Sequence, residues 1–235
     1  MAGVDRVLSL GGRGVAKQER DRRQSLETQP QGIVGFAKQL SQTRVGRFVS
    51  TLVLALAIVI PVRTFAVQGY HIPSGSMEET LLIGDVLFAD KITYGPRIPF
   101  TEGTRIPGFR NPEPGDIVIF KHPDGNVDLI KRCVAIEGQV VEMRNKELIV
   151  DGRVQEEPYT QHIDNSYIPR RDDFGPLRIP EDHIFVLGDN RDRSNDSRFL
   201  GPIPLGSVVA KARIIYFSFD TKRWLPRIGR IGTLL

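Results

Sequence analysis

Two residues invite a chemical reading. Ser76 stands in Pro73-Ser74-Gly75-Ser76-Met77, and Lys131 stands in the apolar run Val127-Asp-Leu-Ile-Lys131-Arg-Cys-Val-Ala-Ile136. A serine hydroxyl attacks a carbonyl when a neighbouring base takes its proton. No histidine sits in a supporting motif, and the Gly-x-Ser-x-Gly elbow of α/β-hydrolases is missing. Lysine can be that base if it is neutral. An ordinary lysine titrates near about 10.4, but burial disfavours the charged form and lowers that value. With a period of two, Lys131 shares a strand face with Val127, Leu129, Cys133 and Ala135, and Arg132 takes the opposite face. Lys91, Lys121, Lys146 and Lys211 fall at strand ends, in turns or between polar neighbours. Each residue also has a plainer reading. Ser76-Met-Glu-Glu79 fits a capping box at a helix start. An ordinary strand lysine would snorkel to water along its stem.

A third segment, Gly188-Asp-Asn-Arg-Asp-Arg-Ser-Asn-Asp-Ser-Arg198, follows the apolar run Ile184–Leu187. It has some look of a calcium loop, but counted from Asp192 the glycine of position six and the glutamate of position twelve are missing. Its density of Asp, Asn, Ser and Arg suits a hydrogen-bonded turn that braces a site. The one cysteine, Cys133, excludes an internal disulfide and a cysteine-built zinc site, and the four histidines lack metal-ligand spacing. Neither a metal nor a cofactor is expected.

These residues need a scaffold. Residues 48–62 carry no charge, and Arg63 and Thr64–Val67 follow. A membrane-spanning helix takes about 20 mostly apolar residues, so 46–68 reads as a transmembrane anchor with Arg63 snorkelling at one end. A buried core helix and a cleavable signal peptide compete. The first is rarely so uniformly apolar, and the second has a short basic region, against more than 40 residues here. Residues 1–45 are polar and expected to be a disordered tail. Arg6, Arg13, Lys17, Arg20, Arg22, Arg23, Lys38, Arg44 and Arg47 outnumber Asp5, Glu19, Asp21 and Glu27. That excess places the N-terminus in the cytosol and the rest on the outer, periplasmic face. A basic tail can also mean nucleic acid, but no aromatic residue precedes Phe36, and no nucleic-acid partner is expected.

Beyond residue 70, short β-like runs alternate with Gly and Pro. Strands are expected at 85–92, 116–121, 127–136, 140–143, 147–150, 184–187 and 208–217, with turns at 144–146 and 151–152. The 235 residues thus give one sizeable domain, 69–235, plus appendages. The fold expected is mainly β: an antiparallel sheet domain with 140–182 as an inserted small β subdomain, preceded by one N-terminal transmembrane helix. The Pro-rich 94–114 stretch reads as a loop. Ile98, Phe100, Ile106 and Phe109 in it would either dip into the outer leaflet or pack on the β core.

Together the segments resemble the bacterial type I signal peptidase (leader peptidase) family, from about Tyr70 to Phe217. The resemblance rests on Ile72-Pro-Ser-Gly-Ser-Met77 with Thr80-Leu-Leu-Ile-Gly-Asp85, on Pro114-Gly-Asp-Ile-Val-Ile-Phe-Lys121, on Ile130-Lys-Arg132, and on Gly188-Asp-Asn-Arg-Asp with Ser194-Asn-Asp-Ser-Arg198. It implies a serine endopeptidase of the cytoplasmic membrane that removes signal peptides from secreted preproteins through an acyl-enzyme, with membrane lipid as its other partner. It implies Ser76 as nucleophile and Lys131 as general base. The Ser74 hydroxyl and Ser76 N–H would form the oxyanion hole. Ser194 would orient the Lys131 ammonium, Asp196 and Arg198 would brace the site, and Tyr70, Ile72, Asp128 and Ile130 would line the substrate groove. The chain departs from the family in places. Glu79 stands where Pro is usual, and Arg193 where Asn is. Ala135, Glu137 and Gln139 replace three residues of the Gly-x-Pro-Gly-Asp turn, and Gly138 is retained. Several members carry a second membrane helix, for which this chain has no second convincing candidate.

Overall fold

The computed structural model describes residues 44–96, 98, 106–125 and 127–235. Nearly all of the expected tail, and Phe100 of the Pro-rich loop, lie outside the described residues. The first element is helix α1 (Arg44–Pro61), continued by a wide π-turn through Val62–Ala66. At 1.5 Å rise per residue, the 23 residues Arg44–Ala66 cover about 34 Å, enough for a hydrocarbon layer of about 30 Å. Leu52, Leu54, Ile58 and Ile60 on this helix are exposed. The helix and the domain that follows it form separate compact units, dividing after Val59.

Strand β1 (Val67–His71) begins where the apolar segment was expected to finish, and it pairs with β2 (Asp85–Asp90) from Val67↔Asp90 to His71↔Val86. Single-sequence reading missed it because Gln68, Gly69 and His71 interrupt the apolar pattern. The main sheet is antiparallel and continues through β11 (Val208–Asp220), β3 (Ile117–Lys121), β4 (Asp128–Ile136), β9 (His183–Leu187) and β10 (Ile203–Pro204), with β12 (Leu225–Pro226) paired to β11. Between β4 and β9 the chain builds a second sheet from β5 (Val140–Arg144), β6 (Glu147–Val150), β7 (Arg153–Val154) and β8 (Phe174–Arg178), in the order β7-β6-β5-β8. Strand β8 was not foreseen because it contains Pro176; it pairs only with β5, and an edge strand tolerates proline.

β3 shows why the main sheet is stable. Ile117 to Phe120 are all buried, and alternate residues enter opposite cores. Ile117 and Ile119 pack with Leu87, Ala212 and Ile215, and also with Ile72, Met77 and Leu81 from the loop between β1 and β2. Val118 and Phe120 pack with Cys133, Val186 and Val208. Burial pushes the Cys133 thiol up to about 12. A third core joins Phe185 and Leu187 to Val141, Met143 and Leu148 of the second sheet.

Gly84 closes the β1–β2 loop. Its φ is +92°, its N–H donates to the Ile72 carbonyl at 3.0 Å, and its carbonyl accepts from the Phe219 N–H at 3.1 Å. A Cβ there would lie 2.1 Å from the Phe219 carbonyl oxygen. Backbone strain and steric conflict coincide, so Gly84→Ala should cost about 2 kcal/mol or more. In thermal unfolding this is a fall of about 4 °C or more; an unchanged melting curve would refute the account.

Candidate active site

Lys131 lies within β4, opposite Val118 of β3, and is only 3% exposed. The snorkelling reading therefore fails: the amine stays inside. Its Nζ sits 2.7 Å from Ser76 Oγ and 3.0 Å from the Ile130 carbonyl. Burial brings the lysine down to about 8, against the pull of the Asp196 and Asp189 carboxylates, which favour the charged form. The helix-cap reading of Ser76 fails too. Residues 76–80 form turns, not a helix, and Glu79 is in the left-handed region at φ 81°. Its carboxylate accepts from Gln161 Nε2 at 3.3 Å instead of reaching back to Ser76.

The loop that carries Ser76 is fixed from below and from behind. Ile72, Met77 and Leu81 anchor it in the core. Asp85, fully buried, accepts from the Leu82 N–H (2.9 Å), Ser218 Oγ (2.6 Å) and Arg230 Nη2 (2.6 Å). Burial alone would raise this carboxyl; Arg230, Ser218 and the Leu82 N–H outweigh it and hold the group below its ordinary value. The same Arg230 nitrogen donates to the Thr80 carbonyl at 2.8 Å.

The segment 188–198 packs against this loop. The Asn190 N–H donates to the Ser76 carbonyl at 3.2 Å. Asp189 receives a two-pronged bond from Arg132, at 2.9 and 2.7 Å, and a third from Thr80 Oγ1 at 2.5 Å. Arg132 lies over the Tyr159 ring at 3.8 Å from its centroid. Asp196 and Arg198, both wholly buried, pair through two nitrogens at 2.9 Å, and Asp196 also accepts from the Gly188 N–H at 3.0 Å. Gly188 is the tightest point. A Cβ there would lie 2.3 Å from Ser194 Oγ and 2.5 Å from the Ser76 carbonyl oxygen. Ser194 is thus brought beside the Ser76 loop. Its hydroxyl, however, is buried without a hydrogen-bond partner and does not engage Lys131, contrary to the role expected for it. Lys131 instead spends its bonds on Ser76 and the Ile130 carbonyl.

The calcium reading of this segment loses its ligands. Asp189 goes to Arg132, Asp196 to Arg198, and Asp192 to Lys146, Arg171 and the N–H groups of Ile163 and Asp164. Sequence reasoning expected the 188–198 segment to brace the site without giving Asp189 or Asn190 a role of its own, and it missed Arg132, Thr80 and Arg230. The available signal was that Arg132 faces away from Lys131 and must meet something acidic. The inserted segment also does more than expected. Gln161 bridges to both neighbours of Asn190: its N–H donates to the Asp189 carbonyl at 2.8 Å and its carbonyl accepts from the Arg191 N–H at 3.0 Å. Glu157 accepts from Arg191 Nη2 at 2.6 Å.

Two clefts meet at Ser76. The first, of about 310 Å³, is lined by Tyr70, Ile72, Ser74, Asp128, Ile130 and Lys131 among others, so the four expected groove residues come together there. The main sheet curls so that its edge strand β1 and the 128–131 stretch of β4 flank this one cleft. That stretch pairs with β3 alone, since β9 reaches β4 only from Arg132 onward. Ser74 is exposed at the junction, and among the described residues nothing engages the Ser76 N–H. The second cleft, of about 480 Å³, shares Ser74, Ser76, Leu129 and Lys131 and adds Glu78, Arg193, Asn195 and Lys222. A serine hydroxyl, a buried amine and an unpaired N–H facing a groove suit acyl transfer on an extended chain.

Comparison with known proteins places the chain beside signal peptidases. A family model described as signal peptidase, peptidase S26, matches residues 45–217. A signal peptidase I of Pseudomonas aeruginosa is 34% identical over 215 residues, 76% of this chain and 75% of that protein. A probable signal peptidase I-2 of Synechocystis is 32% identical, with 76% and 73% covered. A signal peptidase I of known structure from Enterococcus faecalis is 31% identical, covers 43% of this chain and 97% of that one, and gives a TM-score of 0.39.

Gly188→Ala tests the packing of the site. The added methyl must displace Ser194 or the Ser76 carbonyl, and so the hydroxyl that Lys131 faces. Hydrolysis should fall by about a hundredfold or more, with the circular dichroism spectrum retained. Wild-type activity in a folded variant would show that the contact does not position Ser76.

Proposed function

The chain belongs to the signal peptidase family of S26 peptidases, serine endopeptidases that remove signal peptides from secreted preproteins, and we propose that it does so with Ser76 as nucleophile and Lys131 as general base. The observation that carries this assignment is the 2.7 Å approach of Lys131 Nζ to Ser76 Oγ, with Lys131 only 3% exposed. In its neutral form Lys131 accepts the Ser76 proton as Oγ attacks the scissile carbonyl. The Ser74 hydroxyl and the Ser76 N–H stabilise the oxyanion that forms. As the tetrahedral adduct collapses, Lys131 returns the proton to the leaving amine and an ester on Ser76 remains. Lys131 then takes a proton from water, hydroxide attacks the ester, and the carboxylic product leaves as Oγ is reprotonated. The unpaired Ser194 hydroxyl is suited to accept from the Lys131 ammonium while that charge exists; Asp196 and Arg198 keep the Ser194 segment in place.

The substrate enters the first cleft as an added strand. The sheet-edge position of β1 and the side of Asp128–Lys131 that β9 does not reach offer backbone partners, and the pocket between Tyr70, Ile72 and Ile130 takes small side chains before the cut. The protein is membrane-anchored through α1. The excess of Lys and Arg before residue 48 supports a cytosolic N-terminus and a catalytic domain, 69–235, on the outer face. An anchored enzyme and a substrate whose signal sequence is still in the bilayer meet at high effective concentration.

Ser76→Ala and Lys131→Ala should each lower cleavage of a model preprotein by about a thousandfold or more. Lys131→Arg should fail equally, because arginine cannot deprotonate. Substantial cleavage by any of the three refutes the dyad. The pH profile has a defined sign. A lysine near 8 is mostly protonated below that pH, so the rate should fall as pH is lowered and reach about a hundredth of its plateau near pH 6. A flat profile from pH 8 to 5 is incompatible with a neutral-lysine base.

A further inference from the structure

The two clefts differ in chemistry. The first is lined largely by Tyr70, Ile72, Leu129 and Ile130, and its Asp128 is already paired with Lys121 at 3.1 Å. The second carries Glu78, Arg193, Asn195 and Lys222 on its walls. An extended chain attacked at Ser76 must run to both sides of the hydroxyl. If the residues before the cut fill the first cleft, those after the cut enter the second. We propose that the second cleft holds the first residues of the leaving polypeptide, and that Arg193 and Lys222 make it select mature chains that begin with acidic side chains. This inference rests on the reading of Ser76 and the first cleft given above.

Three observations carry it. First, among the described residues the side chains of Arg193 and Lys222 make no hydrogen bond or ion pair. Arg132, Arg191, Arg198 and Arg230, by contrast, are all engaged in holding the site. Both unpaired cations are exposed, so a substrate carboxylate can reach them. Second, their backbones are anchored. The Arg193 N–H donates to the Asn190 carbonyl at 3.2 Å, between Asp192 and the buried Ser194. The Lys222 N–H donates to Asp220 Oδ1 at 2.9 Å, in a turn closed by the Trp224 N–H on the Asp220 carbonyl at 2.8 Å. Third, the cleft has a net positive balance. Glu78 is the one carboxylate among its described lining residues. Its Oε2 folds back over Gly75, where a Cβ would come within 2.9 Å of it, and lies 3.5 Å from Asn190 Nδ2. Two cations then face the leaving chain against one carboxylate turned to the loop.

The test uses the full-length protein in detergent micelles and three preproteins that differ only at the second and third positions after the cut: Asp, Gln or Lys. Each exposed ion pair changes a rate constant by up to about fivefold. The wild type should therefore show kcat/KM about five- to tenfold higher for the Asp than for the Lys substrate. The ratio should shrink toward one near 1 M salt, where screening acts within about 3 Å. Arg193→Gln with Lys222→Gln should bring the ratio to about one at low salt, and Arg193→Glu with Lys222→Glu should invert it. Equal rates for the three substrates in the wild type, or a ratio that survives either double variant or high salt, would overturn the proposal. Failure of the dyad reading is separate: it would appear as cleavage that persists in Ser76→Ala, whatever the charge preference.

Discussion

The molecule is organised around one costly act, keeping a lysine amine dry. Lys131 is enclosed by the sheet with its Nζ against Ser76 Oγ. Two buried carboxylates, Asp189 and Asp196, lie near enough to favour its charged form. Were either unpaired, its field would hold the proton on the amine. Each has its own arginine: Arg132 grips Asp189 and Arg198 grips Asp196. The pairs are poor sources of stability as such, since desolvating both ions offsets most of their attraction. Their effect is local, in leaving burial as the dominant influence on Lys131.

The remaining architecture follows from that requirement. β4 must be an interior strand for Lys131 to be buried, yet its 128–131 end is left open on the β9 side. Ending β9 at Leu187 and turning the chain sharply at Gly188 satisfies both conditions. The segment after the turn then supplies Asn190 to the Ser76 carbonyl, and the connection between β7 and β8 supplies Gln161, which holds Asp189 and Arg191 on either side of Asn190. The inserted segment is therefore tied to the Ser76 loop through the backbone of 189–191, although it lies outside both clefts.

Residues whose environment is decided by their own strand were readable without a structure. Lys131 between Leu129 and Cys133 is such a case, because period-two alternation assigns it to a buried face; the alternation does not extend to exposed Val127 or past the irregularity in β4 between Cys133 and Ala135, where Ala135 enters the third core. The antiparallel character and most strand positions were legible for the same reason. What escaped depends on distant partners. Strand β1 exists because β2 completes it, and β8 survives Pro176 because β5 is its single neighbour. The Ser194 hydroxyl was expected on Lys131, but its direction is set by the Gly188 contact, which no local pattern encodes. Arg230 acts on Asp85 across 145 positions of sequence. The helix-cap reading of Ser76 was locally sound, and it lost to the core packing of Met77 and Leu81, which folds the segment into turns.

Cys133 stands two positions from Lys131, fully buried, with a thiol held near 12 by its surroundings. Thiolate is the reactive form, so alkylating reagents and oxidants find almost nothing to attack. The natural sequence is then already a silent background for probe chemistry. A cysteine placed on any exposed position could carry a spin label or dye while the native thiol, and the strand that bears Lys131, go unmarked.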